Sequence, residues 1–167
     1  MSSSADPSTP DGPAQPGTAA PEAPGSTPLR ASGLGEAVSV RLKVPFHDCD
    51  PLFVVWHGRY FEYLEIARSA LFARHRVDVE HVRELNYRMY VTDAHCRYLH
   101  PLSYNDELSV TARFTALTPL IRVAYDVRNL RVNRKSARAV TVLATTDAQG
   151  KLLSETPHDL IARIRSV

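Results

Sequence analysis

A chain of 167 residues with 44% hydrophobic content is long enough to bury one sizeable core and no more. Its formal net charge of +2, without a long basic run or interleaved aromatic and basic residues, gives no ground for a nucleic-acid partner. Two cysteines, Cys49 and Cys96, fit neither a disulfide framework nor a zinc spacing and are expected as reduced thiols.

Residues 1–36 carry most of the prolines and no aromatic residue, so they lack the apolar surface that would offset the entropy of ordering. A disordered tail over 1–36 is expected, followed by one folded domain over 37–167. The opening Met1-Ser2-Ser3-Ser4 has neither a basic nor an apolar signal-peptide region, and no later apolar run reaches membrane-span length. A soluble cytoplasmic protein, with no membrane partner, is the expectation.

Val38, Val40, Leu42, Val44 and Phe46 alternate with polar residues and Pro45, the period of a strand with one buried face. Pro45 removes a ladder donor and points to a sheet edge or a bulge. The proline after Asp50 holds that residue out of the helical region, so Asp50 is expected to be extended at the strand end. From Gly58 the period changes. Tyr60, Phe61, Leu64, Ala67 and Leu71 recur at spacings of three and four, widened by Ile66 and Ala70, and predict a half-buried helix ending near Arg74, His75 and Arg76. Its first turn has no Ser, Thr or Asp cap; Gly58 offers no side-chain acceptor, so the first backbone N–H groups are available to an outside oxygen.

Asp78 is a candidate cap for a short helix through about Leu85, with Asn86 as its stop. Strands are then predicted over Arg88–Leu99, Glu107–Thr118, Ile121–Val127 and Ala137–Thr146, with Asn133-Arg134-Lys135 as a hairpin tip. Thr156-Pro157 matches the start of a terminal helix carrying Leu160, Ile161 and Ile164, with a final strand as the competing expectation. Strand, long helix and a run of short-linked strands argue an α+β domain in which an antiparallel sheet wraps against one helix. One helix covers one face only, and a second subunit is the simplest cover for the open edges.

The chemistry concentrates between Val44 and Arg68, which includes the only Trp of the chain. Asp50 at a strand end and His57 just ahead of uncapped helical amides can flank one polarised carbonyl, the arrangement acyl transfer requires. Asp50 is then general base or nucleophile, His57 orients water or substrate, and the N–H groups of His57 and Gly58 form the oxyanion site. Asp48 is read as a helper or, preferentially, a solvated charge. Glu62 and Glu65 on the helix are rival bases, although Glu65 and Arg68 also suit an ordinary surface pair. A metal site from His47, Asp48, Cys49, Asp50 and His57 is disfavoured, because consecutive extended residues point to opposite faces. Arg122, Arg128, Arg131, Arg134, Lys135 and Arg138 crowd the last hairpin, where they can meet coenzyme phosphates or an acidic carrier protein; alternation is expected to split them between faces.

The run VPFHDCDPLFVVWHGRYFEYLEIAR resembles the first motif of the 4-hydroxybenzoyl-CoA thioesterase family of hot-dog folds, with thioesterases of aryl polyene pigment clusters as a further likeness. YLHPLSYNDEL is compatible with the same family. The resemblance implies about five antiparallel strands around one long helix, paired subunits (homodimer or homotetramer) sharing the active site, and hydrolysis of an acyl-CoA or acyl-carrier-protein thioester. No cofactor is implied beyond the CoA or phosphopantetheine of the substrate. The family's catalytic Asp falls on Asp50, its His or aromatic position on His57, and its Tyr on Tyr60. Phe53 stands where the family usually has Gly; with Trp56, Tyr60 and Glu65 it is expected to contact substrate. The fold also hosts dehydratases and non-catalytic acyl-CoA binding modules, the alternatives to a thioesterase.

Overall fold

The structure, a computed structural model, describes residues 34–167. The expected tail therefore lies, up to residue 33, outside the described residues. Strands β1 (Val38–Lys43), β2 (Tyr87–Tyr98), β3 (Glu107–Ala116), β4 (Ile121–Asn129) and β5 (Arg134–Asp147) are joined by helices α1 (Arg59–Arg74) and α2 (Val79–Glu84), and the chain closes with helix α3 (His158–Arg165). Thr156 does not cap α3; its hydroxyl donates to Pro119 O, and Pro157 takes the cap position.

The five strands form one antiparallel sheet in the order β1-β3-β4-β5-β2. β1 is an edge strand, as expected, but it ends at Lys43, before Pro45, which instead caps the next turn. Phe46–Asp48 turn into a 3-10 helix and Phe46 is exposed, so the alternation read through Phe46 overran the strand by three residues. Inner-face residues such as Val110, Val127 and Ala137, or Ala112, Tyr125 and Ala139, align in rows across the central strands and are buried.

Helix α1 lies across β1 and β3 and buries Tyr60, Tyr63, Leu64, Ala67, Leu71 and Phe72. Its buried stripe is rotated from the predicted one. Tyr63 and Phe72 turn inward, whereas Phe61 and Ile66 stay on the exposed side. His75, at the C-terminal end of α1, is wholly buried, with Nδ1 3.0 Å from Ile164 O and Nε2 2.9 Å from Glu36 O. It thereby joins the N-terminal segment to α3. Asp78 caps α2 as expected, accepting from the N–H groups of Glu80 and His81, and Asn86 ends the segment at φ 61. Edge strand β2 is exposed over Tyr90–His95 and carries a register shift between Val91 and Asp93.

Candidate active site

Beyond β1, Val44 is pinned on both sides, donating to Asp106 O (2.9 Å) and accepting from Asn105 N–H (3.0 Å). The 3-10 turn then delivers the chain into a small hairpin closed by the Cys49–Val55 bridge. Asp50 N–H donates to Val54 O and Phe53 N–H to Asp50 O, each at 2.9 Å. Asp50 Oδ1 accepts the N–H of Leu52 at 2.8 Å, and among the described residues no hydrogen bond or ion pair engages Oδ2. Asp50 is thus both a turn residue and a half-buried carboxylate with one oxygen uncommitted. Phe53 closes the turn at φ 60, the left-handed conformation that favours glycine and costs another residue about 1–2 kcal/mol. Phe53 is 74% exposed.

The other arm of the hairpin leads to α1. Trp56 N–H donates to Asp48 O and Arg59 N–H to Trp56 O, both at 2.9 Å. Gly58 is the N-cap and supplies no side-chain bond; the N–H groups of His57 and Gly58 have no acceptor among the described residues. The half-exposed Trp56 ring lies so close to Gly58 that a Cβ there would sit 2.1 Å from it. The His57 ring tilts against Trp56 (4.8 Å) and faces Tyr98 edge-on (6.4 Å), while Tyr98 donates its hydroxyl to His57 O at 2.9 Å. Asp50 and His57 stand on opposite arms of one hairpin, and no hydrogen bond joins their side chains. Tyr60 is buried under Tyr98, ring centroids 5.0 Å apart, and forms the floor of the site. Burial pushes its hydroxyl up to about 12.

Glu65 is exposed and pairs with Arg68. Lying six residues beyond Arg59, it is about 9 Å along the helix from the first turn. It borders a cavity of about 520 Å³ walled by Phe72, Val82, Met89 and Leu143, none of whose lining residues comes from segment 44–58. The carboxylate that comes close is Asp48. Read as a solvated charge, it is 3% exposed and accepts the Tyr63 hydroxyl at 2.6 Å. The 3-10 turn explains the reversal, because it ends the strand alternation that would have kept Asp48 and Asp50 alike. Cys49 between them is a poor nucleophile: burial first, then the Asp48, Asp50 and Asp106 carboxylates, pushes its thiol up.

Four of the six hairpin cations share a face, whereas Arg134 pairs with inward-facing Asn129. Arg122, Arg128, Lys135 and Arg138 all lie on the outer side of the sheet, because an irregularity between Val127 and Arg128 brings Lys135 opposite Arg128. Asp126 sits among them, 2.5 Å from Lys135 Nζ and 2.9 Å from Arg113 Nη1. Arg131 pairs with buried Asp106 at 2.7 Å, and Asp106 accepts the N–H of Ser103, which bridges Val54. The basic tip and the Asp50 hairpin therefore occupy the same end of the sheet.

Residues 44–164 match the model of the thioesterase-like superfamily. A protein of Aquifex aeolicus (strain VF5), provisionally described as an esterase, is 28% identical over 101 residues, 57% of this chain and 79% of its own. Among solved structures, 1,4-dihydroxy-2-naphthoyl-CoA thioesterase from Synechocystis is similar at TM-score 0.68 with 15% identity, over 77% of this chain and 96% of its own. An Asp→Asn mutant of 4-hydroxybenzoyl-CoA thioesterase complexed with 4-hydroxybenzoyl-CoA is similar at TM-score 0.68 with 18% identity, over 77% of this chain and 98% of that one. At these identities the two structures speak to the fold.

Proposed function

This chain belongs to the thioesterase-like superfamily, and from that premise we propose that it is a hot-dog acyl thioesterase that cleaves an acyl-CoA to free acid and thiol, using Asp50 as its carboxylate. The observation that carries the assignment is the pairing, across one small hairpin, of the uncommitted Asp50 Oδ2 with two N–H donors, those of His57 and Gly58, that have no internal acceptor. A thioester carbonyl oxygen seated on those donors gains stabilisation as it becomes an oxyanion. Asp50 then takes a proton from water as the water oxygen bonds to the carbonyl carbon, or bonds to that carbon itself to give an anhydride that water hydrolyses. In either route the C–S bond breaks and the thiolate leaves. His57 orients water or acyl group at the rim, Trp56 and Phe53 offer exposed aromatic surface, and Tyr60 acts from below through Tyr98. Glu65 serves the acyl cavity along α1, away from its own chain's Asp50.

CoA as the thiol carrier draws support from the activities of the similar thioesterases and from the basic residues at the Asp50 end of the sheet. A carrier-protein thioester is the second candidate substrate. No cofactor is needed beyond the substrate's own pantetheine, and the cytoplasm is the proposed compartment. A homodimer, or a dimer of dimers, is proposed from the exposed β2 edge and from Phe61 and Ile66 on the open side of α1. The deciding experiment follows thiol release and ultraviolet absorbance across aryl and alkyl thioesters of CoA, carrier protein and free pantetheine. Release of free thiol supports hydrolysis. An absorbance change without thiol points to a dehydratase, and binding without either change points to an acyl-CoA binding module.

A further inference from the structure

Asp48 is anomalous on physical grounds. It is 3% exposed, yet among the described residues Oδ1 has no hydrogen-bond donor, a condition few buried carboxylates tolerate. Two side chains approach Oδ1 without completing one: the Arg59 guanidinium Nε and the His47 imidazole Nε2 each stand 3.4 Å away. Oδ2 accepts the Tyr63 hydroxyl at 2.6 Å, and the backbone oxygen accepts Trp56 N–H at 2.9 Å. Arg59 is the first residue of α1, where a cation opposes the helix dipole, and Asp48 together with Glu62, 2.5 Å from Arg59 Nη1, offsets that charge. One residue therefore touches the first two turns of α1 through its side chain and the far arm of the Asp50 hairpin through its main chain.

We propose that Asp48 is a positioning residue: a bracket that fixes the Asp50 hairpin against the start of α1, so that the Asp50 carboxylate and the His57 and Gly58 N–H groups keep one separation. The bracket has two ends. Trp56 N–H is bound to Asp48 O, and the next two N–H groups of the chain have no acceptor among the described residues. Tyr63 bound to Oδ2 holds the 3-10 turn down on the helix, two residues from Asp50. Loosening either end misplaces the carboxylate relative to the N–H pair, and small displacements at reacting groups are expensive in rate. The kinetic part of the proposal rests on the thioesterase assignment; the structural part does not.

Asp48→Asn replaces the charge-assisted bond from Tyr63 with a weaker neutral one and removes the charge that faces Arg59, while Tyr63→Phe removes the donor. In both folded variants kcat should fall by about ten- to a hundredfold with KM nearly unchanged. The Tm of Asp48→Asn should stay close to or above that of the wild type, since a buried, incompletely paired charge has been removed. A purely structural role would instead lower Tm and leave the kcat of the folded protein alone. Trp56, the only Trp of the chain, gives a readout independent of turnover: its emission should be quenched more readily by acrylamide in both variants. Wild-type kcat, or wild-type quenching, in either folded variant overturns the bracket. If Asp48→Asn does not fold, Tyr63→Phe decides by the same two measurements. If the wild-type chain releases no thiol from any substrate, the thioesterase assignment fails and Trp56 quenching alone decides the bracket.

Discussion

Asp50 divides its carboxylate between two tasks, since Oδ1 holds Leu52 N–H and Oδ2 is uncommitted. An Asn in its place keeps the turn, because the amide oxygen still accepts from Leu52, and removes the anionic oxygen. Asp50→Asn should therefore fold with wild-type stability while turnover drops by about a hundred- to ten-thousandfold, the span of a lost general base. Loss beyond that span, with an early burst of thiol in the wild type, would identify Asp50 as nucleophile. Glu62→Gln and Glu65→Gln are the matched controls for the base, each expected to keep kcat because their carboxylates are engaged by Arg59 and Arg68, with any effect of Glu65→Gln falling on KM. A collapse confined to either Glu variant, with Asp50→Asn active, would move the base onto the helix.

At the scale of an element, the outer face of the sheet is held across β3, β4 and β5 by Asp126 among Arg113, Lys135 and Arg138. Burial alone would raise its carboxyl, but the bonds from Lys135 and Arg113 outweigh burial and hold it below the ordinary value of 3.8. The sign follows from linkage. A group whose folded value is depressed contributes stability above its unfolded value, and that contribution is lost as pH falls through the folded one. Thermal midpoints compared between pH 7 and pH 3 should fall more for the wild type than for Asp126→Asn. Equal losses would show that the three cations do not stabilise the ionised form.

For the molecule as a whole, the last residues of the segment that composition assigns to the tail make contacts with the folded part. Leu34 packs against the core, Gly35 takes φ 77 with the His75 ring against it, and Glu36 bonds both His75 and Arg74. Removal of residues 1–33 should leave Tm and turnover unchanged. Removal of 1–36 should lower Tm, because one ring nitrogen of buried His75 loses its carbonyl partner; equal midpoints for the two truncations would remove His75 from the account. Light scattering at micromolar concentration should give a dimer or tetramer mass, and an active monomer would contradict the role proposed for the β2 edge.

The alternation of β3 and β4, the cap at Asp78 and the uncapped start of α1 were legible in the sequence, because each depends on neighbours within a few residues and on a fixed period. So were the five antiparallel strands and the long helix. The segment between β1 and α1 was not, for it has no period: the 3-10 turn at Phe46–Asp48 and the left-handed Phe53 decide which carboxylate is buried and which is open. The stripe of α1 was misjudged for a related reason, as its apolar residues nearly encircle the helix and only the sheet's position tells Tyr63 from Phe61. Tertiary structure alone brings Tyr98 over His57, Tyr63 onto Asp48 and Glu36 onto His75. Those contacts join residues from separate elements, and only the packing of one element on another fixes where their side chains meet.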